Sequence, residues 1–423
     1  MPMPRVIVVG GGIAGLVAAR ELATGGFQVT LLEAAAMLGG RVARHTVAGI
    51  DLDAGAESFA TRGGTVAAFV TELGMADAIV EPNHSGAWLQ PADRDPLPLP
   101  KTGLFGIPGT PLAKDVIAVT GLAGALRAEL DVLLPFASVR DGQSLGDLVR
   151  KRMGPRVLDS LVAPVVLGIH SRHPDELAVD RVAPGLRKAI ARTGSLSRAV
   201  LSLRAAAPAG SAVAGIDGGI YRIVEALAAD LHRRGVNVRT GTSVAAVSAG
   251  AVDLADGGVL TADHVVLATR LESPPARKIV LATLVVDAAA LDAAPRGTGL
   301  LVAPGAAGIR AKALTHASAK WAWLAEKAGP HRHVLRLSYN GAPEHGLDDI
   351  ARTDAQRLLG VPITAAQVAG FAQVSWPGPA VGSAVGAPDG VTQVGEAVAG
   401  TGLAAGISFA RQACAELLAG SRD

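Results

Sequence analysis

Apolar and polar positions alternate with two different periods along this chain, and the switches between them mark its elements. Residues Arg5–Val9 (RVIVV) form a β-branched run that stops at Gly10, and a helical pattern follows at once over 13–22, ending near Gly25-Gly26. Gln28–Leu32 (QVTLL) reads as a second strand, closed by Glu33. Strand, glycine turn, helix and strand in about 30 residues make a βαβ unit, whose parallel strands need a covered sheet. Residues 64–80 predict a helix and its exit, and the Pro-rich stretch over 91–111 excludes a regular helix. From Asp115 to about Ala191 the pattern is mostly helical, with amphipathic segments at 145–153 and 156–162 punctuated by Pro164, Pro174 and Pro184. The Ala/Ser/Gly stretch over 204–214 reads as a linker or loop. Gly218-Gly219 opens a further helix over 220–234, and strands are expected at 236–240 and 244–248. Asp256-Gly257-Gly258 is a hairpin signal, and 264–268 (HVVLA) is a buried strand. Strands mixed with helices cover about 280–375, and 391–395 followed by a helix over 402–418 repeats strand, glycine turn, helix. The two ends and the 215–270 block share one style, so 80–200 and 275–375 look like insertions.

A length of 423 residues fits two or three domains at roughly 150 residues each and needs no disulfide or metal staples. Apolar residues at 49% and charged residues at 18% exclude a disordered chain. Lys+Arg 39 against Asp+Glu 37, a net charge of +2, with aromatics at 3%, argues against nucleic acid as a partner. The single cysteine, Cys414, excludes an intramolecular disulfide framework and a cysteine-built zinc site, and is expected to be a small packed residue. These counts fit a cytoplasmic protein. Mean hydropathy of +0.36 raises the question of a membrane span. The apolar stretch over 116–126 is closed by Asp115 and Arg127, short of the roughly 20 residues a span needs, and 279–291 is interrupted by Asp287. The strand pattern begins within five residues of Met1, so no signal peptide is expected. At most peripheral membrane contact is left.

The chemistry starts at Gly10-Gly11-Gly12-Ile13-Ala14-Gly15, a G-x-G-x-x-G run directly after a strand and opening a helix. In such a run the first glycine makes the tight turn, the second lets backbone approach a pyrophosphate, and the third packs helix on strand. The pyrophosphate sits on free N–H groups at the helix N-terminus. Glu33 ends the next strand about 20 residues on, where a carboxylate accepts hydrogen bonds from a ribose diol. The pattern predicts dinucleotide binding.

A second glycine turn, Gly39-Gly40, is followed by Arg41 and then by Gly55-Ala56-Glu57-Ser58. This run resembles the FAD signature of the amine-oxidase and porphyrinogen-oxidase group, which implies that Arg41 and the Gly55–Ser58 turn lie against phosphate and flavin. Gly241-Thr242-Ser243-Val244 belongs to the same resemblance, which implies that the Val244 backbone faces the adenine. So does Gly395-Glu396 with Gly400-Thr401-Gly402-Leu403-Ala404, implied to direct a late helix N-terminus at the flavin ring. The middle of the chain resembles the protoporphyrinogen/coproporphyrinogen oxidases in Leu97-Pro98-Leu99-Pro100-Lys101, in residues 143–154, and in Leu167-Gly168-Ile169-His170. Residues 311–321 and Leu335-Arg336-Leu337-Ser338-Tyr339 are similar to the bacterial branch. The motifs occur in order over most of the chain. The implied fold is α/β: a discontinuous Rossmann-like FAD/NAD(P)-binding domain at 1–80, 205–275 and 388–423, an inserted mixed-sheet substrate domain at 81–110 and 276–387, and a helical subdomain at 111–204.

The resemblance implies an FAD enzyme that oxidises coproporphyrinogen III to coproporphyrin III in three two-electron steps, each pair of electrons passing through flavin to O₂ to give H₂O₂. The implied partners are the porphyrinogen, O₂ and a ferrochelatase that takes the product, with the chain a monomer or homodimer. Protoporphyrinogen IX is the alternative substrate. A flavin amine oxidase or desaturase-like enzyme, or a flavin-binding protein without turnover, are readings of other classes. Flavin carries the hard chemistry, so no catalytic side chain is singled out. The substrate's propionates call for cations, and Lys320, Arg62 and Lys101 are the candidates. His331 and His333 have no acid or cysteine nearby in sequence, so a strand face or turn is expected and no metal site. Trp321 and Trp323 are expected in the core, and Arg150-Lys151-Arg152 on a solvated helix face. The chain departs from the family on the substrate side. Residues 371–386 lack the usual tyrosine and histidine, 268–285 is short, and Gly168-Ile169-His170-Ser171-Arg172 replaces Gly-Ile-Tyr-Ala-Gly.

Overall fold

The computed structural model describes residues 3–101, 103–134, 140, 142–205, 212–271, 278–341, 343, 345–378 and 386–421. Much of the expected 204–214 linker, and parts of the short 268–285 and altered 371–386 segments, lie outside the described residues. The chain divides into two compact units. One comprises Met1–Pro82, Gly210–Ala276 and Ala380–Asp423, the other Asn83–Ala209 and Arg277–Pro379.

The first unit is built on a five-stranded sheet in the order Asn237–Arg239, Gln28–Leu32, Arg5–Val9, His264–Leu267, Val391–Gln393, with every neighbouring pair parallel. Both faces of such a sheet must be covered, because its strands read as continuous apolar runs. Val6 and Val8 point to one face, where the helices Ile13–Thr24, Tyr221–Arg233 and Leu403–Gly420 bring Leu16, Leu227 and Ile407 into one core. Ile7 and Val9 point to the other, against Val247, Val252 and Leu254 of a three-stranded antiparallel meander, Val244–Ser248, Ala251–Leu254 and Val259–Thr261. The expected hairpin turns at Gly257, whose φ of +90° suits glycine, and the Gly258 N–H donates to Asp256 Oδ1 at 3.0 Å. The helix expected from 220 spans Tyr221–Arg233 with Ile220 as its N-cap, and Gly218 and Gly219 ahead of it take left-handed φ values of +82° and +116° that suit glycine.

The second unit holds a seven-stranded sheet in the order Val368–Pro377, Lys278–Asp287, Arg332–Asn340, Ala313–His316, Gly299–Val302, Trp88–Gln90, Leu97–Pro98. All its pairings are antiparallel except Gly299–Val302 with Trp88–Gln90. One face carries Val280, Leu284, Leu335 and Leu337 against Ala351, Ala355 and Leu358 of the helix Leu347–Leu359. The opposite face carries Thr283, Arg336 and Thr315 in register. A second core belongs to helices including Leu145–Met153, Ala163–His170, Leu186–Thr193 and Leu196–Ala205. The Pro-rich 91–111 segment forms only two-residue strands, as the missing N–H groups of proline require.

One expectation fails here. Arg150 and Lys151 are exposed, but Arg152 is buried. A helix turns about 100° per residue, which carries Arg152 inward onto Asp131. Its Nη2 also donates to the Asp131 and Gly194 carbonyls, each at 2.9 Å. Asp131 in turn accepts from the Ser195 hydroxyl at 2.7 Å and the Ser197 N–H at 2.9 Å. Among the described residues no helix is long and apolar enough to cross a membrane.

Candidate functional site

The first glycine turn is shaped by what its glycines exclude. Gly10 takes φ +106°, and its N–H donates to Leu32 O at 2.8 Å, which ties the turn to the neighbouring strand. A Cβ on Gly15 would lie 1.8 Å from the Gly10 carbonyl oxygen, so the helix can approach the strand this closely only without a side chain. A Cβ on Gly11 would lie 2.6 Å from Leu38 Cδ2. A Cβ on Gly12 would meet nothing within 4 Å, so this backbone faces open space. The helix Ile13–Thr24 that follows has no side-chain cap and no acid in its first turn. Its first N–H groups and dipole are left for an anion, with Ile13 and Ala14 leading the helix.

Glu33 is held by both carboxylate oxygens. Oε2 accepts the Gly11 N–H at 2.6 Å and Oε1 accepts the Ala35 N–H at 2.7 Å. A carboxylate has about four acceptor positions, so two remain for hydroxyls. The Glu33 carbonyl accepts the Thr242 N–H at 2.8 Å and the Ala35 carbonyl accepts the Gly241 N–H at 2.9 Å, which places the start of the Val244–Ser248 strand at the end of Gln28–Leu32.

The second glycine turn lies on the first. The Gly39 N–H donates to Gly11 O at 2.8 Å, and a Cβ on Gly40 would be 3.6 Å from Gly12 Cα. Gly39 and Gly40 take φ +110° and +58°. Arg41 meets Glu396, 355 residues later, with Nη2 at 2.5 Å from Oε2. The Arg41 carbonyl accepts the Ala56 N–H at 3.1 Å, and a Cβ on Gly55 would come within 2.2 Å of that oxygen. Glu57 and Ser58 follow, half-buried. Glu396 Oε1 is buried and accepts no hydrogen bond, an acceptor oriented for a donor that the protein does not supply. Gly395 (φ +88°) brings the end of the last strand to Ala14, so that a Cβ on Gly395 would lie 3.6 Å from the Ala14 Cβ. Gly402 (φ +104°) then starts the helix Leu403–Gly420, again without a side-chain cap or an acid in the first turn, with Leu403 and Ala404 on the core. Two uncapped helix N-termini, two apposed glycine turns, a tethered carboxylate and an orphaned acceptor fit a dinucleotide with a hydrogen-bonding ring.

Sequence reasoning did not single out Asp53. Its carboxylate accepts the Ile220 and Tyr221 N–H groups at 3.1 and 2.9 Å, capping the Tyr221–Arg233 helix from a distant hairpin. The Gly218-Gly219 pair marked that helix start, but nothing local marked its cap. The three candidate cations are divided between the two units. Arg62 is exposed on the turn before the helix Thr65–Glu72, in the first unit. Lys101 and Lys320 belong to the second. Lys101 is exposed beyond the edge strand, with its N–H on Asp115 Oδ2 at 3.1 Å. Lys320 is half-buried, with Nζ 5.0 Å from the centre of the Trp321 ring.

His331 and His333 do have an acid, supplied by the fold. Asp292 Oδ2 pairs with His331 Nδ1 at 2.7 Å and Oδ1 with His333 Nε2 at 3.0 Å. His333 Nδ1 reaches the fully buried His316 Nε2 at 3.0 Å. Burial, and then the neighbouring His333, hold the His316 pKa down to about 4. Among the described residues no group of three or more His, Cys, Asp or Glu side chains is arranged for a metal. Trp321 is buried and Trp323 half-buried. Cys414 is buried with Sγ 3.7 Å from Ala18 O, and burial raises its pKa to about 12, so the thiol is inert.

The chain matches, over residues 13–281, the family model described as flavin containing amine oxidoreductase. It is 31% identical over 214 residues to coproporphyrinogen III oxidase of Bacillus subtilis (strain 168), covering 49% of this chain and 44% of that one. It is 30% identical over 355 residues to coproporphyrinogen III oxidase of Mycobacterium bovis, covering 78% of this chain and 75% of the relative. Among solved structures, a protein of Exiguobacterium sp. 255-15, provisionally described as a protoporphyrinogen oxidase, superposes with a TM-score of 0.81 at 22% identity over 99% of this chain and 100% of that one. That likeness shows the fold.

Proposed function

Given that this chain belongs to the flavin-containing amine oxidoreductase family and is an FAD-dependent oxidoreductase, we propose that it oxidises coproporphyrinogen III to coproporphyrin III in porphyrin biosynthesis. The likeness to coproporphyrinogen III oxidases along most of the chain is the observation that carries this reading. Bound FAD would supply the hydride acceptor and, with O₂ as final acceptor, release H₂O₂. The protein's part is binding, orientation and exclusion of water. The open backbone at Gly12 and the first N–H groups at Ile13 and Ala14 would hold the pyrophosphate, and the free acceptor positions of Glu33 the ribose diol. Arg41, fixed by Glu396, keeps donors for phosphate because a guanidinium has five N–H groups. The Gly55–Ser58 turn, the Val244 backbone and the Gly402–Ala404 helix start complete the cofactor set. In this reading the enzyme works in the cytoplasm and its product goes on to a ferrochelatase.

Anaerobic mixing of the holoprotein with coproporphyrinogen III, followed by admission of air, tests the proposal. Flavin bleaching, then porphyrin fluorescence and peroxide on aeration, is expected. A flavin that stays oxidised overturns it, and faster bleaching by protoporphyrinogen IX moves the assignment to that substrate.

A further inference from the structure

The second unit buries a cation that the cofactor set does not use. Lys312, the residue before the Ala313–His316 strand, is 9% exposed. Its Nζ donates to Asn340 Oδ1 at 3.1 Å and to Ser171 Oγ, both neutral acceptors, and among the described residues no carboxylate pairs with it. Burying an ammonium without a counter-charge is strongly unfavourable, whereas a methionine or leucine would fill the same space at no such cost. Burial lowers the Lys312 pKa only to about 8, so the charge persists at neutral pH. Ser171 ends the Ala163–His170 helix in a left-handed conformation, φ +56°, and from that position its hydroxyl reaches Nζ.

Further polar groups share these surroundings. Asn340 lies on the sheet face opposite the apolar core, the face that also carries Arg336 and Thr283. Arg336 is 6% exposed, and Thr283 is fully buried with an Oγ1 that has no partner. His170, the residue before Ser171, likewise buries an Nε2 without a partner. Asp287, the one acid on this face of the Lys278–Asp287, Arg332–Asn340 and Ala313–His316 strands, lies at the end away from Asn340 and is engaged by Arg332 at 2.7 Å. The charged and titratable groups on the elements around Nζ are His170 and Arg172 at the end of the Ala163–His170 helix, Arg310 and His316 on either side of Lys312, Arg332, His333 and Arg336 on the Asn340 strand, and Lys278 and Asp287 on the strand beside it. Acids on neighbouring segments are engaged elsewhere, Asp175 by Arg150 at 2.7 Å. Glu176 pairs with Arg172 at 3.2 Å, and Asp354 accepts the Arg310 and Ala311 N–H groups.

We propose that Lys312 Nζ, positioned by Ser171 and Asn340, anchors a carboxylate of the substrate and so selects for an acidic macrocycle. The ammonium has three N–H donors, two are used by the protein, and the third is left for the ligand. The inference rests on the porphyrinogen reading and assigns it a residue that was not among the three candidates drawn from the sequence.

Titration of the FAD-loaded protein with coproporphyrin III and with its fully esterified form tests it, because the ester keeps the ring and removes the charges. Lys312→Met should weaken acid binding about tenfold or more, the size of a charge-assisted hydrogen bond, and leave ester binding unchanged. Lys312→Arg should recover most of the loss. Wild-type affinity for the acid should fall as pH rises above about 8, and the arginine variant should hold its affinity there. Equal losses for acid and ester, or no loss for either, overturn the assignment. A wild-type protein that binds neither porphyrin overturns the porphyrinogen reading, and the inference with it. Should Lys312→Met not retain FAD, Lys312→Gln carries the same comparison with the same expected outcomes.

Discussion

At the scale of single residues, Gly12 and Gly15 belong to one turn and answer different needs. A methyl group on Gly15 would collide with the Gly10 carbonyl, whereas one on Gly12 would point into open space, where the proposed reading puts the pyrophosphate. Gly15→Ala should therefore lower both thermal stability and FAD content, while Gly12→Ala should keep the apoprotein's melting temperature and weaken FAD binding at least tenfold. Melting the apoproteins and titrating them with FAD separates the two. His316 makes a different prediction. An unfolded histidine binds a proton near pH 6.5, and the buried one does so only near 4. Between these values the unfolded chain holds more protons than the folded one, so stability is complete above about pH 6.5 and is lost as pH falls towards 4. The loss should reach about 2 kcal/mol by pH 5. Urea unfolding at pH 7 and pH 5 should show a larger drop in wild type than in His316→Leu; equal drops would place the titration elsewhere.

At the scale of elements, two carboxylates fix helices from a distance. Asp53 caps Tyr221–Arg233 through two N–H groups, and Asp53→Ala should cost about 1–2 kcal/mol in urea unfolding. Asp131 holds the buried Arg152 guanidinium and the Ser195-Ser197 turn. Asp131→Ala would leave that guanidinium without its counter-charge and should cost about 3–5 kcal/mol, whereas Asp131→Ala with Arg152→Met should recover much of it. A double mutant no more stable than Asp131→Ala would show that the serine contacts dominate. The helices themselves were legible from apolar spacing, as Leu145–Met153 shows. Which of their polar positions turned inward was not, because Arg152 carries the same charge as its exposed neighbours and only its angular position distinguishes it.

At the scale of the whole molecule, a ligand that binds only the folded chain raises its stability by mass action. FAD at about 100 times its Kd should add about 2.7 kcal/mol, seen as a melting temperature that climbs with FAD concentration. No shift would count against a preformed cofactor site. The sequence by itself determined the βαβ unit, both glycine turns, the Glu33 carboxylate and the late helix start at Gly402, because each is written in spacings of a few residues that steric and hydrogen-bonding rules translate directly. Only the tertiary structure decided that Arg41 meets Glu396, that Asp53 caps a helix beginning at Tyr221, that Asp292 serves two histidines, and that Lys312 is buried between Ser171 and Asn340. These pairings join segments far apart in the chain. They depend on which face of a strand or helix is buried and on what packs there, and a buried cation is spelled with the same letter as a solvated one.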